Sequence, residues 1–318
     1  MELNAYKLDF LDIARKSFSL RSFRRSLSRA RGIFDLIRIR YIIFLNIPFM
    51  LSAFVLARNF DLQLIFFVCL SYFFAHFFIN AVNDLYDIET DKVHPVKSIE
   101  NPIVSGKISF KDARYITIAL PFLALLSAIP TNPIWFSAIL FVDFIGWSYS
   151  VPPIRTRARP WGFLTNETLG SGVGFVWTYW AAKPAQSDWS FWIIPMTLYI
   201  LFSHAILVSK DLPDIDPDRK AGFDNFAIAY GVKTTQRFVI LCTLASFIIY
   251  VYLLASHVFS VISLPFAIIG TILPLRSLSK PLEQITDRYL IYQRVMPASI
   301  FYSIALVLGV FGMLFMPW

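Results

Sequence analysis

Apolar residues in this chain fall into long runs, and the polar residues gather between them. Nine runs approach the roughly 17 to 25 residues with which a helix crosses a bilayer. They are 41–57, 62–82, 115–130, 133–150, 162–182, 191–208, 238–256, 257–275 and 296–316. Very short turns join some neighbours: Pro-Thr-Asn-Pro at 130–133 and Ser256-His257 each predict a helical hairpin. The pattern predicts an all-α integral membrane protein of nine transmembrane helices, which a repeated acidic motif sets around a central cavity.

Charge placement supports that count. With a cytosolic N-terminus, nine spans leave only Arg58 and Lys183 of the 29 Lys and Arg on the far side, as the positive-inside bias requires. An eight-span chain would put the last basic loop, with Arg276, Lys280, Arg288 and Arg294, outside. The C-terminus is then expected opposite the N-terminus, in a multi-pass protein of the cell membrane.

Composition removes the soluble alternative. The 318 residues are 57% hydrophobic and 16% charged, with 32 Phe and a mean hydropathy of +0.59; a soluble domain is nearer half apolar and a quarter charged. Cys69 and Cys242 lie inside apolar runs, which excludes a disulfide framework or a zinc knuckle. A net charge of +8 would suggest nucleic acid in a soluble protein. Here it follows membrane sidedness, and no nucleic-acid partner is expected.

Residues 1–34 form a basic N-terminal segment and 35–318 the nine-helix domain. Residues 15–31 are rich in Arg and Ser with apolar residues interspersed, which predicts a helix lying on an anionic lipid surface. Glu2, Asp9 and Asp12 count against the alternative, a mitochondrial transit peptide.

Two acidic stretches carry the chemistry. Asn83-Asp84-Leu85-Tyr86-Asp87-Ile88-Glu89-Thr90-Asp91-Lys92 follows the second run, and Asp211-Leu212-Pro213-Asp214-Ile215-Asp216-Pro217-Asp218-Arg219 follows the sixth. They share Asp-Leu-x-Asp-Ile-(Glu/Asp)-x-Asp-(Lys/Arg) and lie 127 positions apart on the same side. We read them as an internal repeat that sets two carboxylate clusters around one cavity on the cytosolic side. In a continuous helix Asp84, Asp87 and Asp91 share one face, as do Asp211, Asp214 and Asp218. Like charges so placed repel, and hard divalent cations with oxygen ligands relieve the repulsion. The six Asp are therefore the expected ligands of Mg²⁺, which takes its remaining ligands from water and phosphate. An EF-hand on Asp214-x-Asp216-x-Asp218 fails, because Arg219 stands where Gly is needed and Asn225 where Glu is.

These residues resemble the UbiA superfamily of intramembrane prenyltransferases. Asn83, Asp84, Asp87 and Asp91 match its NDxxDxxxD motif, and Asp211, Asp214 and Asp218 its DxxDxxxD motif. Tyr149-Ser150-Val151-Pro152-Pro153, trailed by Arg155, Arg157 and Arg159, is similar to its YSxPP segment. Two departures stand out: Asn101 where the family commonly has Arg, and Asp224-Asn225 where it commonly has a basic residue and Thr.

The resemblance implies Mg²⁺-dependent transfer of a prenyl group from an allylic isoprenyl diphosphate to a lipophilic acceptor, with release of diphosphate. Asn83, Lys97, Arg155, Arg157, Lys210 and Arg219 would bind the diphosphate; a purely topological role for the basic ones stays open. Asp143, an acid inside the fourth run, and Tyr149 are the candidate catalytic residues. Asn166, Glu167 and His204 are further polar candidates, while Asn80 and His76 suit helix packing. Trp135, Trp177, Trp180, Trp189, Trp192 and Trp318 predict an interfacial belt. The acceptor is expected to carry an aromatic quinone or chlorin-type head group. A carotenoid (lycopene) elongase, a terpene cyclase and a cation transporter are the alternatives. A CDP-alcohol phosphotransferase is disfavoured, since its DGxxAR core is absent.

Overall fold

A computed structural model describes residues 20–38, 47–183, 190–220 and 222–312. Among these, every regular element is helical. The main helices are α1 (Leu20–Ile37), α2 (Ile47–Ala57), α3 (Leu62–Tyr86), α4 (Ile88–Val93), α5 (Phe110–Ala128), α6 (Pro133–Ser150), α7 (Gly162–Glu167) and α8 (Val173–Ala182). There follow α9 (Ser190–Ser209), α10 (Ile215–Lys220), α11 (Phe226–Tyr230), α12 (Val232–Ala255), α13 (Leu264–Leu278) and α14 (Ala298–Gly312). Leu62–Tyr86, Val232–Ala255, Val261–Leu278 and Gln293–Gly312 are long and apolar enough to cross a membrane. Residues 41–46 of the first predicted run, 313–316 of the last, and Trp189 and Trp318 lie outside the described residues.

Local chemistry sets several ends. Asn132 caps α6 by accepting the Trp135 N–H at 3.1 Å, and Pro133 supplies a first-turn residue with no N–H to satisfy. Helix α6 therefore has the bounds its apolar run predicts. Other helices overshoot their runs: α3 continues to Tyr86 and α12 begins at Val232, because polar residues at a membrane edge still make helical hydrogen bonds. The run 162–182 is one helical stretch interrupted by a π-turn at Thr168–Gly172. The hairpin expected at Ser256-His257 is looser, since regular structure resumes only at Val261.

Helices α3 and α6 run parallel and closely packed. Trp135 Nε1 donates to Ser71 Oγ at 2.7 Å, Gly146 lies against Ile79, and Asn83 Nδ2 donates to Ser150 Oγ at 3.4 Å. A Cβ on Gly146 would sit 2.3 Å from Ile79 Cγ1, so this glycine permits the approach. The first of these contacts corrects the interfacial reading of Trp135, which is 1% exposed and takes its hydrogen bond from the core. At one end, Asn59 and Asn132 donate to the carbonyls of Ala182 and Ala181, satisfying the last turn of α8. Helices α9, α12, α13 and α14 pack in succession, and α2 contacts both α14 and α8.

Helix α1 runs past residue 34 to Ile37 and packs on α3 with Leu36 fully buried. Asp35 pairs with Lys107 at 2.7 Å, and Arg29 with Asp112 at 2.7 Å. Its C-terminal end is thus docked on the domain.

Candidate active site

Both acidic motifs lie where a long helix ends. Helix α3 stops at Tyr86, Asp87 caps it, and α4 restarts at Ile88. In the second motif α9 stops at Ser209, Asp211 to Asp214 form a turn, and of the triad Asp211, Asp214 and Asp218 just the last sits within α10. This corrects the expectation of one continuous helical face for each triad. In the second motif the cause is Pro213, which lacks an N–H and disfavours helix at Leu212. The carboxylates still converge, because backbone bonds from Asp87 N–H to Asn83 O (3.0 Å) and Asp91 N–H to Asp87 O (2.7 Å) carry the chain through the break.

The site is built from pairs between residues far apart in the sequence. Asp84, 1% exposed, pairs with Arg38 at the end of α1. Asp87, fully buried, pairs with Arg157 and, at 3.2 Å, with Arg155. Both guanidiniums also sit over the Phe223 ring, at 5.3 Å for Arg155 and 4.7 Å for Arg157. Lys97 Nζ lies 3.2 Å from Asp218 Oδ1, and His94 Nε2 lies 3.4 Å from Asp214 Oδ1. His94 Nδ1 accepts the Val96 and Lys97 N–H groups, which puts the ring proton on Nε2, toward Asp214. The segment after the first motif thereby clasps the second.

Burial shapes the acidity. Desolvation raises the Asp91 carboxyl above its ordinary value, with the Asn101 hydrogen bond opposing it. Burial, with Asp218 nearby, pushes Asp211 up to about 7, while Lys210 pulls the other way. Burial lowers Arg157 to about 10, which leaves it protonated at neutral pH. The lone pair of Asp84 Oδ2 has no hydrogen-bond partner, as a hard-cation ligand would require. Among the described residues, however, no group of three or more His, Cys, Asp or Glu is already arranged to hold a metal. The carboxylates are held by protein cations and amides instead.

The remaining predicted residues divide. Tyr149 is half-buried, lies near Phe163, and feels the charges of Asp211, Asp218, Glu167 and Arg38. Asp143 is 8% exposed with both carboxyl oxygens unpaired. Glu167 accepts from Ser203 at 3.0 Å, and Thr168 pairs with His204 at 3.0 Å beside the π-turn, a local geometry frequent at functional sites. Asn80 donates to the His76 carbonyl one turn back in its own helix. Arg219 is exposed and joins no ion pair among the described residues. Sequence reasoning missed Arg38, His94 and Phe223 as site residues. Arg38 looked like one more inside-facing charge, and nothing local marked His94.

Arg157 depends on a close turn. A Cβ on Gly162 would fall 1.6 Å from the Thr156 carbonyl oxygen. Gly162→Ala is expected to cost about 3 kcal/mol, to lower the melting temperature in detergent, and to displace the 156–158 turn that carries Arg157. An unchanged melting temperature would refute this.

Fold and site together define a multi-pass, all-helical membrane protein with two acidic clusters clasped by Arg and Lys. The UbiA prenyltransferase family model matches residues 45–288, and the chain belongs to that family. It is 29% identical over 171 residues to 2-acyl-4-prenylphloroglucinol 6-prenyltransferase, chloroplastic, of Humulus lupulus, covering 50% of this chain and 40% of that protein. It is 31% identical over 173 residues to the bacteriochlorophyll synthase 33 kDa chain of Rhodobacter capsulatus, covering 51% and 53%. The match thus spans about half the length, or less, of these curated relatives. The fold is similar to that of a UbiA homolog from Archaeoglobus fulgidus bound to GPP and Mg2+, with a TM-score of 0.67 and 21% identity. That likeness covers 87% of this chain and 99% of the other.

Proposed function

We propose that this chain is a Mg²⁺-dependent prenyltransferase of the cell membrane, moving a prenyl group from an allylic isoprenyl diphosphate to a lipophilic acceptor. The acceptor carries an aromatic quinone or chlorin-type head group, as the names of the relatives suggest. The observation that carries this reading is the convergence of two repeated acidic motifs with Arg155, Arg157 and Lys97 paired into them. The chain crosses the membrane nine times, with its N-terminus and both motifs cytosolic and its C-terminus opposite.

Asp84, Asp87, Asp91, Asp211, Asp214 and Asp218 would hold Mg²⁺; their all-oxygen donor set suits a hard cation. Bound Mg²⁺ supplies Lewis-acid stabilisation of the leaving diphosphate. Asn83, Lys97, Arg155 and Arg157 bind the diphosphate oxygens, and exposed Arg219 and half-buried Lys210 are available to it as it enters. Arg38 adds a cation beside Asp84. Ionisation breaks the C–O bond, the electron pair leaves on the diphosphate, and aromatic faces stabilise the allylic cation. Surrounding apolar helices keep water from that cation. Tyr149 orients the acceptor, and Asp143 takes the proton that the acceptor loses after its carbon attacks.

The test is diphosphate release by the purified protein in detergent. It would be offered C5 to C20 allylic diphosphates with aromatic, chlorin and polyene acceptors, in Mg²⁺ and then in EDTA. Acceptor-dependent release that EDTA abolishes is the expected result. Silence with every pair, or release indifferent to EDTA, would refute the assignment.

A further inference from the structure

Asn101 and Asn225 stand at the two departures from the family pattern, and they occupy matching places. Asn101 Nδ2 donates to Asp91 Oδ2 at 2.9 Å, and Asn225 Nδ2 donates to Asp218 Oδ2 at 2.9 Å. Each touches the last carboxylate of its own motif. Asn101 Oδ1 accepts the N–H of Ile103 at 2.9 Å and of Val104 at 3.3 Å, and Asn225 Oδ1 accepts the N–H of Ile228 at 2.9 Å. A backbone N–H can only donate, so each amide oxygen must face it and each NH₂ must face the carboxylate. The two amides cannot flip without losing both contacts.

The break at Asp87 gives this arrangement its purpose. Helix α3 ends between Asp84 and Asp91, and the backbone bonds of Asp87 and Asp91 carry the chain through the break. Asn101, 2% exposed, bridges the gap by also donating to the Asp84 carbonyl at 3.0 Å. In the second motif Asp211 lies in a turn outside α10, and Asn225 reaches back to Asp218 from the cap of α11. Asn101 fixes Oδ2 of Asp91; at Asp218, Asn225 fixes Oδ2 while Lys97 sits 3.2 Å from Oδ1, so a cation on that oxygen would take the place of the ammonium.

We infer that Asn101 and Asn225 are paired positioning residues that orient the terminal carboxylates, Asp91 and Asp218, of the two motifs for divalent-cation binding. This rests on the proposed metal role of those carboxylates. Groups that hydrogen-bond a metal ligand are commonly worth 10–100-fold in metal affinity. Asn→Ser keeps a side-chain oxygen for the backbone N–H groups but withdraws the NH₂ donor.

Mn²⁺ would be titrated into the full chain in detergent with inorganic diphosphate, following free Mn²⁺ by its paramagnetic resonance signal. Asn101→Ser and Asn225→Ser are each expected to weaken Mn²⁺ binding about tenfold. Asn101→Ser should add nothing in an Asp91→Asn protein yet keep its effect in an Asp218→Asn protein, with the converse for Asn225→Ser; a purely structural loss would lack this pairing. Affinity within twofold of wild type in a folded single variant overturns the inference, as does a wild type that binds no Mn²⁺. If one variant does not fold, the other carries the test, since each amide donates to the terminal carboxylate of its own motif. Binding without diphosphate release from any allylic donor would sink the prenyl-transfer reading and leave the positioning role standing.

Discussion

Asp87→Ala is expected to reduce Mg²⁺-dependent diphosphate release by about 10²–10³-fold, the range seen when a preorganised electrostatic group is removed. Asp87 is fully buried and is paired with two guanidiniums. Its loss takes away a proposed metal ligand and also deprives the largely buried Arg157 of the carboxylate it is paired with. Breaking a buried pair from one side costs about 3–5 kcal/mol, so the variant should also melt lower. Asp214→Ala, whose partner is His94, should lose activity comparably and melt closer to wild type. Combining Asp87→Ala with Arg157→Ala should recover part of the lost stability and none of the activity. Turnover above a tenth of wild type in Asp87→Ala would exclude the residue from the metal site.

Arg157→Ala should lower kcat/KM for the allylic donor by about 10²–10³-fold. Its side chain is 13% exposed, lies closer to the Phe223 ring than Arg155 does, and pairs with the buried Asp87. Arg157→Lys keeps a charge but loses the planar fork and its stacking, so it should recover only part of the rate. Arg155, 28% exposed and 3.2 Å from Asp87, should cost about tenfold when replaced by Ala. Steady-state kinetics with varied donor would read the difference. A larger loss at Arg155 than at Arg157 would reverse the assignment.

What was legible in the chain was whatever local chemistry marks. The bounds of α6 followed from Asn132-Pro133 and an unbroken apolar run. The acidic motifs announced themselves because six Asp repeat at fixed spacing where membrane cost allows few charges. Pairing between distant elements was not legible. Arg38 and Asp84 are 46 positions apart, and Lys97 and Asp218 are 121 apart; no periodicity reports such contacts. The break at Asp87 was hidden as well, because Ile88-Glu89-Thr90 carries no Gly or Pro to mark it. Trp135 misled for a different reason. Its place near a run end suggested an interface, but the hydroxyl of Ser71 on a neighbouring helix satisfies its N–H indoors. Asn101 and Asn225 were visible only as departures, and the structure turns both into donors.

The three contacts between α3 and α6, from Ser71–Trp135 to Asn83–Ser150, span twelve residues of α3, about 18 Å at 1.5 Å per residue. Two helices pinned at three levels resist sliding and shearing past one another, so they act mechanically as one stiff strut. The acidic cluster is mounted on one end of that strut. When the bilayer is thinner or thicker than the strut, lipids near it must stretch or compress, or the pair must tilt as a unit. The depth of the proposed reaction centre is thus set by protein length, and bilayers of different thickness should alter how easily substrates reach it more than how it is assembled.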